Sequence, residues 1–567
     1  MSTWPAPSIL DPTTQMFPTL TEAQIHRICP SGKRRTVEKG EILFKPNDTN
    51  IPFFVILRGT LEILQPGMDG EKQIVTHGAN HFTGEMSMIT GARCLVLGRI
   101  TEPGEVLEVT SEGLRSLVSK DAELGEIFMR AFILRRLALI REGLGPLVLL
   151  GSRHSAATLR LREFLGRNAY PYKYIDLDID KDSQTLLDRF DIKASEIPVV
   201  MCNTRGSVLK NPTVQQLADR IGFNVSIDGS QVRDVIIVGA GPSGLAAAVY
   251  AASEGLDALV IESESPGGQA GSSSKIENYL GFPTGVSGQE LTNRALAQAQ
   301  KFGARMMIGH GVTRLDCSKR PYKIVLDNGD ELAARSIVIS TGAQYNKPDI
   351  ANLKQCEGRG VYYGATWIEA QLCVGEEVVV VGGANSAGQA AVYLAQNARK
   401  VHMLVRRDGL ADTMSRYLIQ RITENSNIEL HCNTEIVALE GDADGQLRCV
   451  TWRDKKTGKT STHEIGHIFI MTGASPRTDW LKGCVALDEK GFILTGRDLI
   501  DGHAVANGNG GAAQPWTLNR PPQMFETSLP SVFAVGDVRA GNVKRVASAV
   551  GEGAIAIYMV HRALAEH

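Results

Sequence analysis

The sequence predicts a multidomain chain of mixed class: a β-barrel of jelly-roll type closed by a helix, a small α/β unit, and a large α/β region. Three observations carry this. Residues 1–145 hold short β-rich segments separated by Gly, Asp and Pro, then a helical pattern over Asp121–Arg141. Residues 146–230 read as strand, helix, strand, helix, strand, strand. From residue 231 onward strands and helices alternate as βαβ units, and two of the connecting turns are Gly-rich. A length of 567 residues agrees with several domains of about 150 residues each.

Composition narrows the classes. The formal net charge is −2, so no basic field draws the chain to nucleic acid or anionic lipid. No apolar run approaches the roughly 20 residues of a membrane span. The N-terminus has neither a basic nor an apolar leader region, which points to the cytoplasm. The nine cysteines are scattered and no two stand three apart, so neither a CxxC pair nor the usual zinc spacing is present. Reduced thiols and no metal site are the expectation. Glycine, at 58 residues, exceeds its usual ~7% share, and many of these glycines fall in motifs.

In the first region the strand segments include GEILFKP, FFVILRGTLEIL, KQIVTHG and EVLEVT. FFVILRGTLEI and FTGEMSMITGARCLV resemble a cyclic-nucleotide-binding domain. The resemblance implies that Gly84 lies in a ribose-phosphate cassette, that Glu85 accepts the ribose hydroxyl and that Arg93 pairs with the cyclic phosphate. The Glu-to-Arg interval is shorter than the usual cassette. A barrel retained for dimer contacts is the competing reading. No helix-turn-helix pattern follows.

In the second region PLVLLGS, YKYIDLD, EIPVVMCN and SVLK are the strands, and AATLRLREFLGRN and SQTLLDRFD the helices. Residues 146–230 resemble a thioredoxin or glutaredoxin fold, with Ile197-Pro198 at the place of its cis-proline. The turn that carries two cysteines in that fold reads Ser152-Arg153-His154-Ser155-Ala156. It has no thiol, so docking or scaffolding is the expected role.

The third region carries the sharpest motif, VIIVGAGPSGLAAA. A β-branched run meets Gly239, Gly241, Pro242, Ser243 and Gly244, and a helical pattern follows. Gly239 permits the tight turn, Gly241 lets a pyrophosphate approach the backbone, and Gly244 lets helix and strand pack closely. The helix N-terminus offers free N–H groups to the phosphates. The next strand, ALVIE, ends in Glu262, placed to accept both ribose hydroxyls.

EVVVVGGANSAGQAAVYLA repeats the design with Gly382, Gly383, Ala384, Asn385, Ser386 and Ala387. The Ala384 methyl stands where a pyrophosphate should approach. The following strand ends in Val405, then Arg406 and Arg407. Two guanidiniums without an acid suit a 2′-phosphate, so NADPH is expected over NADH.

Residues 231–567 resemble the low-molecular-weight thioredoxin reductases, FAD- and NADPH-dependent oxidoreductases. The matching pieces are GAGPSG, Pro266-Gly267-Gly268-Gln269, IENYLGFP, STGAQYNKP, GGANSA, VRR, MTGASPRT, FAVGDVR and KRVASAVGEG. The resemblance implies a homodimer and an FAD domain in two parts, 231–347 and 477–567, around an NADPH domain at 348–476. It implies that Gly268, Gln269, Asn278 and Gly342 lie at the flavin and that Gly536 and Asp537 hold the ribityl chain. Arg545, Val546 and Ala547 would open a helix facing the flavin N1/O2 edge, where its dipole favours the anionic reduced ring.

The chain departs from that family at its redox dithiol. Gly364 and Trp367 stand where the two cysteines belong, and Cys373 has no partner at disulfide spacing. Flavin-to-disulfide transfer needs two thiols. The expected function is therefore an NADPH-dependent flavoprotein that passes electrons directly to an acceptor such as a quinone, dioxygen or a small redox protein. Trp367 is placed to pack near the flavin ring or, equally, to be a buried interdomain hydrophobe. The rival function is a non-turnover sensor of redox state or cyclic nucleotide. The last alternative is disulfide reduction through an atypical cysteine.

Overall fold

The computed structural model describes residues 12–566, apart from 68–69, 92, 181–191, 203–206, 225–228, 274, 358, 366, 443–444, 501–515 and 517. The helix expected over SQTLLDRFD lies outside the described residues, as does the small, polar stretch Asp501–Gln514, whose composition predicts a surface loop. The chain divides into two compact units. One comprises Met1–Ser152, Asn168–Val225 and Gln300–Gly303; the other comprises Arg153–Arg167, Ser226–Ala299 and Ala304–His567.

The first unit begins with an antiparallel sheet in the order Gly32–Val37, Leu97–Val109, Phe53–Gly67, Gly70–His77, with Ile42–Phe44 also on Leu97–Val109. The expected barrel is realised, among the described residues, as this single five-stranded sheet. Its long strands bend at bulges between Ile56 and Thr60. Gly59 sits there at φ +90°, and a Cβ on it would fall 2.6 Å from the Glu102 carbonyl oxygen. The helix Ala122–Arg141 starts where the Asp121 carboxylate accepts the Leu124 N–H. Its Phe128 and Phe132, four residues apart, pack with Phe53 and Phe82, all fully buried.

The same unit holds a four-stranded sheet in the order Lys173–Asp176, Leu147–Gly151, Val199–Cys202, Ser207–Lys210. The first pair is parallel and the other two are antiparallel. The Ile197–Pro198 bond is cis. Helix Val214–Ile221 opens with a capping box between Thr213 and Gln216. The helix Ala156–Arg167 belongs to the second unit.

The second unit contains two parallel-strand sheets. In the larger, Arg305–Ile308, Ala258–Glu262, Arg233–Val238, Glu331–Ile339 and Val532–Ala534 are parallel neighbours, and the meander Val312–Asp316, Tyr322–Leu326 completes it on the Glu331–Ile339 strand. The other sheet is all parallel, in the order Val361–Tyr362, His467–Ile470, Glu377–Val381, Lys400–Val405, Ile428–Cys432. Thr434–Gly441, Leu447–Asp454 and Thr460–His463 form an antiparallel layer. Ala343–Tyr345 and Ala474–Pro476 pair with each other where the chain leaves and re-enters the first sheet's strands. The central strands are continuous apolar runs because both faces are covered.

One expectation is corrected. Cys317 and Cys484 form a disulfide across a sequence separation of 167, so the cysteines are not all free thiols. Among the described residues no helix is long and apolar enough to cross a membrane.

Candidate functional site

The first Gly-rich turn joins the buried strand Arg233–Val238 to the helix Pro242–Ser253. Gly239 turns with φ +103°, and a Cβ there would overlap the Ser340 carbonyl oxygen. A Cβ on Gly244 would overlap the Gly239 carbonyl oxygen, so strand and helix touch only through glycine. Gly241 is different: a Cβ built on it meets no protein atom within 4 Å. Its missing side chain leaves room for a ligand rather than for the fold. Pro242 occupies the first helical turn, where a missing N–H costs nothing.

Glu262 ends the neighbouring strand and is buried. Its Oε2 accepts the Ala240 N–H at 2.8 Å and its Oε1 accepts the Glu264 N–H at 3.0 Å. Burial raises its pKa above the ordinary carboxylate range, against these two hydrogen bonds. Each oxygen keeps a second lone pair for a sugar hydroxyl.

A second helix crosses the start of Pro242–Ser253. Helix Val546–Ala565 begins after Arg545, and Arg545 and Ala547 are exposed. A Cβ on its Gly553 would overlap the Ser243 carbonyl oxygen, and one on Gly536 would lie 2.6 Å from the Ser243 hydroxyl. Glycine thus lets the start of Pro242–Ser253, the third turn of Val546–Ala565 and the Gly536-Asp537 turn pack together. Asp537 is partly buried, and that burial raises its pKa against the opposing charge of Lys544. Gly342, at φ +64°, also has open space where a side chain would stand. Gln269 donates its amide to the Ala343 carbonyl, tying the Gly267–Gly268 turn to the linking strand Ala343–Tyr345. Asn278 is exposed beside Glu277, which accepts a hydrogen bond from Arg421 at 2.6 Å.

Sequence reasoning missed two groups here. Buried Glu552 accepts the Gly536 N–H at 2.7 Å, the Arg539 guanidinium at 2.6 Å and the Asn542 amide at 2.8 Å. Ser340 donates to the Val238 and Gly239 carbonyls at 2.9 and 2.8 Å. The acid within the apolar VASAVGEG helix was the available signal for Glu552.

The second Gly-rich turn joins Glu377–Val381 to the helix Asn385–Leu394. Gly382 turns with φ +144°, and a Cβ there would come 2.5 Å from the Met471 carbonyl oxygen. Ala384 and Ser386 are exposed and Ala387 is buried. The turn is strapped from outside: Thr413 donates its hydroxyl to the Gly383 carbonyl at 2.6 Å, and the Ser415 N–H donates to Asn385 Oδ1 at 2.8 Å. Arg406 and Arg407 are exposed just past the strand Lys400–Val405.

In the N-terminal region the expected cassette residues each approach a group of the protein. The Glu85 carboxylate accepts the Ser87 N–H at 3.1 Å and stands 2.9 Å from Arg136. Gly84, at φ +114°, accepts a hydrogen bond from Arg135 at 2.8 Å on its carbonyl. Arg93 donates to the Arg220 carbonyl at 3.1 Å. Glu85 and Arg93 are thus directed at separate partners.

Residues 233–553 match the model of the pyridine nucleotide-disulphide oxidoreductase family. The chain belongs to that family. Residues 34–121 match the cyclic nucleotide-binding domain model. The chain is 32% identical to a thioredoxin reductase of Bacillus subtilis over 59% of its own length and 96% of the relative. It is 30% identical to an NADPH-dependent thioredoxin reductase 3 of Arabidopsis thaliana over 63% of this chain and 65% of that one. A structure of Lactococcus lactis thioredoxin reductase in its FR conformation superposes with a TM-score of 0.51 at 29% identity. It covers 59% of this chain and all of that one.

The oxidoreductases of this type work with FAD and NADPH. The first turn of this family member fits FAD: it combines the open space at Gly241 and Gly342, the Glu262 carboxylate hydrogen-bonded to Ala240, and the N-terminus of Pro242–Ser253. The second turn fits NADPH at its arginine end, while the Ala384 methyl occupies the approach that Gly241 leaves free.

At the position where the sequence reading expects the first relay cysteine, a Cβ on Gly364 would lie 3.8 Å from Ser272, whose hydroxyl donates to the Gln269 carbonyl. Gly364 therefore borders the Gly268–Gln269 segment. Trp367 opens the helix Trp367–Leu372, and its side chain lies outside the described residues. Cys373 is fully buried, its thiol donates to the Glu369 carbonyl at 3.2 Å, and burial pushes its pKa up to about 12.

Proposed function

We propose that this protein is an NADPH-dependent flavoprotein oxidoreductase that delivers electrons from its flavin directly to an acceptor, without a dithiol relay. One observation carries the reading. An FAD-type cradle is assembled around Gly239–Gly244, and Gly364 and Trp367 stand in the sequence where the resemblance expects the two relay cysteines. Bound FAD would supply hydride acceptance and onward electron transfer. The protein's part is placement. The N-termini of Pro242–Ser253 and Val546–Ala565 would face the pyrophosphate and the flavin's anionic edge, and Glu262 would bind the ribose. Arg406 and Arg407 would select the 2′-phosphate of NADPH. The acceptor is a quinone, dioxygen or a small redox protein, and the working form is a cytoplasmic homodimer.

The atypical-cysteine route is disfavoured because the buried Cys373 thiol stays protonated at neutral pH, and a thiol cannot attack a disulfide. The sensor reading draws support from the Thr413 and Ser415 straps and the Ala384 methyl at the second turn. The four-stranded sheet order and the cis Ile197–Pro198 bond agree with a thiol-free thioredoxin-like unit used for docking. The Glu85–Arg136 and Arg93–Arg220 contacts favour a barrel that acts without cyclic nucleotide.

The test is anaerobic mixing of the flavin-loaded protein with NADPH, followed at the flavin band near about 450 nm. Bleaching within seconds, with re-oxidation by a quinone and no thioredoxin-coupled turnover, is expected. No bleaching over minutes would transfer the reading to the sensor, and appreciable thioredoxin turnover would restore thiol chemistry.

A further inference from the structure

On the strand that leads to the arginine pair, the second parallel sheet gathers side chains to which the proposed nucleotide binding gives no role. His402 on strand Lys400–Val405 pairs in register with Glu429 on strand Ile428–Cys432, and Leu404 pairs with His431. Residues two apart on a strand share a face, so His402, Glu429 and His431 project from one side of the sheet. His402 Nδ1 lies 3.1 Å from His431 Nε2. Glu429 places Oε1 3.5 Å from His431 Nε2 and Oε2 4.0 Å from His402 Nδ1. The three donor atoms lie within 4.8 Å of one another.

A second contact defines the chemistry. The other ring nitrogen of His402, Nε2, faces Glu377 Oε2 at 3.3 Å. A carboxylate holding one imidazole N–H fixes the tautomer and leaves the opposite nitrogen as a lone-pair donor, the arrangement that orients histidines on metals. That free lone pair points at His431 and Glu429. The side chain of His402 is 8% exposed, that of His431 22% and that of Glu429 45%, so the cluster is anchored inside and open on one side. Trp452 lies 5.6 Å from both imidazole rings and stacks on His463 at 3.7 Å. The ring wall limits where a ligand can enter.

We infer that His402, His431 and Glu429 form a binding site for one divalent transition-metal ion of the zinc class, with Glu377 orienting His402. Two imidazoles and one carboxylate select Zn²⁺ or Co²⁺ over Mg²⁺ and Ca²⁺, which take all-oxygen shells. With metal–nitrogen bonds of about 2.0–2.1 Å, a 3.1 Å separation subtends about 100°, close to tetrahedral. Water from the open side completes the shell. Lys400 now pairs with Glu429, and Arg399 stands 3.4 Å from Glu377. The Lys400 ammonium must swing off, or leave Oε1 to the metal while it keeps Oε2. The ion would fasten two neighbouring strands of the second sheet.

The test uses full-length flavin-loaded protein stripped with chelator and titrated calorimetrically with Zn²⁺, then with Co²⁺ by difference spectroscopy. The proposal expects one equivalent of Zn²⁺ that His431→Ala and Glu429→Gln each abolish, with melting temperature unchanged in the metal-free variants. It expects Glu377→Gln to weaken affinity tenfold or more. Co²⁺ should give visible d–d bands without a thiolate charge-transfer band. Equal Zn²⁺ uptake by the wild type and both variants, a sulfur-to-cobalt band, or no uptake at all would overturn it. The last outcome would leave the imidazole pair as a plain N–H···N hydrogen bond. None of these readouts depends on NADPH oxidation, so the site and the proposed electron route stand or fall separately.

Discussion

At Gly239 and at Gly382 the backbone turns through positive φ, and at each a Cβ would run into a carbonyl oxygen of a neighbouring strand. The two turns part company after that. The first continues with Gly241 and Gly244, the second with Ala384 and Ala387. Gly244 is required by the protein itself, because its Cβ would overlap the Gly239 carbonyl, whereas the buried Ala387 methyl fits. Gly241 is required by nothing in the protein, since open space surrounds it. The difference separates two uses of glycine in one motif: letting strand and helix close, and admitting a ligand.

The largest effect should come from testing that separation directly. Gly244→Ala forces a methyl into backbone and is expected to cost about 3 kcal/mol or more, while Ala387→Gly should cost about 1 kcal/mol through helix propensity alone. Thermal melts with flavin content measured on the same samples would check both, and equal losses would break the comparison. Gly241→Ala should instead leave the melt of the flavin-free protein nearly unchanged while lowering flavin occupancy about tenfold or more. The mirror substitution, Ala384→Gly, should lower the KM for NADPH by roughly tenfold. An unchanged KM would show that the Thr413 and Ser415 straps, not the methyl, limit that turn.

Arg406→Gln with Arg407→Gln should reduce the NADPH-over-NADH preference by about tenfold, as kcat/KM for the two cofactors would report. The smallest effect concerns Glu262. Its folded-state pKa is raised by burial, so between its unfolded and folded values the folded chain holds more protons than the unfolded one. Stability of the flavin-free protein should therefore fall as pH rises through that window, by at most about 1.4 kcal/mol per pH unit. Glu262→Gln should flatten the slope in denaturant titrations at several pH values.

Both Gly-rich turns, their flanking strands and helices, and Glu262 were legible because their requirements are local: a positive φ, a helix start and an acid at a strand end lie within one βαβ unit. The helix over Asp121–Arg141 was legible too, through its apolar period and the Asp121 cap. The resemblance puts Gln269 at the flavin, and the structure adds that its amide donates to the Ala343 carbonyl. Glu85 and Arg93 fall in one cassette by resemblance, and the structure adds which protein groups they meet: Arg93 the Arg220 carbonyl, 127 residues away, and Glu85 the Arg136 guanidinium.

The sequence by itself determined where the backbone must turn, which segments alternate as strand and helix, and that no cysteine pair stands at relay spacing. Only the tertiary structure decided that Cys317 meets Cys484, that Glu552 supports Gly536, and that His402 meets His431 and Glu429. Backbone conformation is set by neighbours in the chain. Side chains from different strands converge only once sheet order and register are fixed, and those follow from burial of the whole sheet rather than from any local spacing.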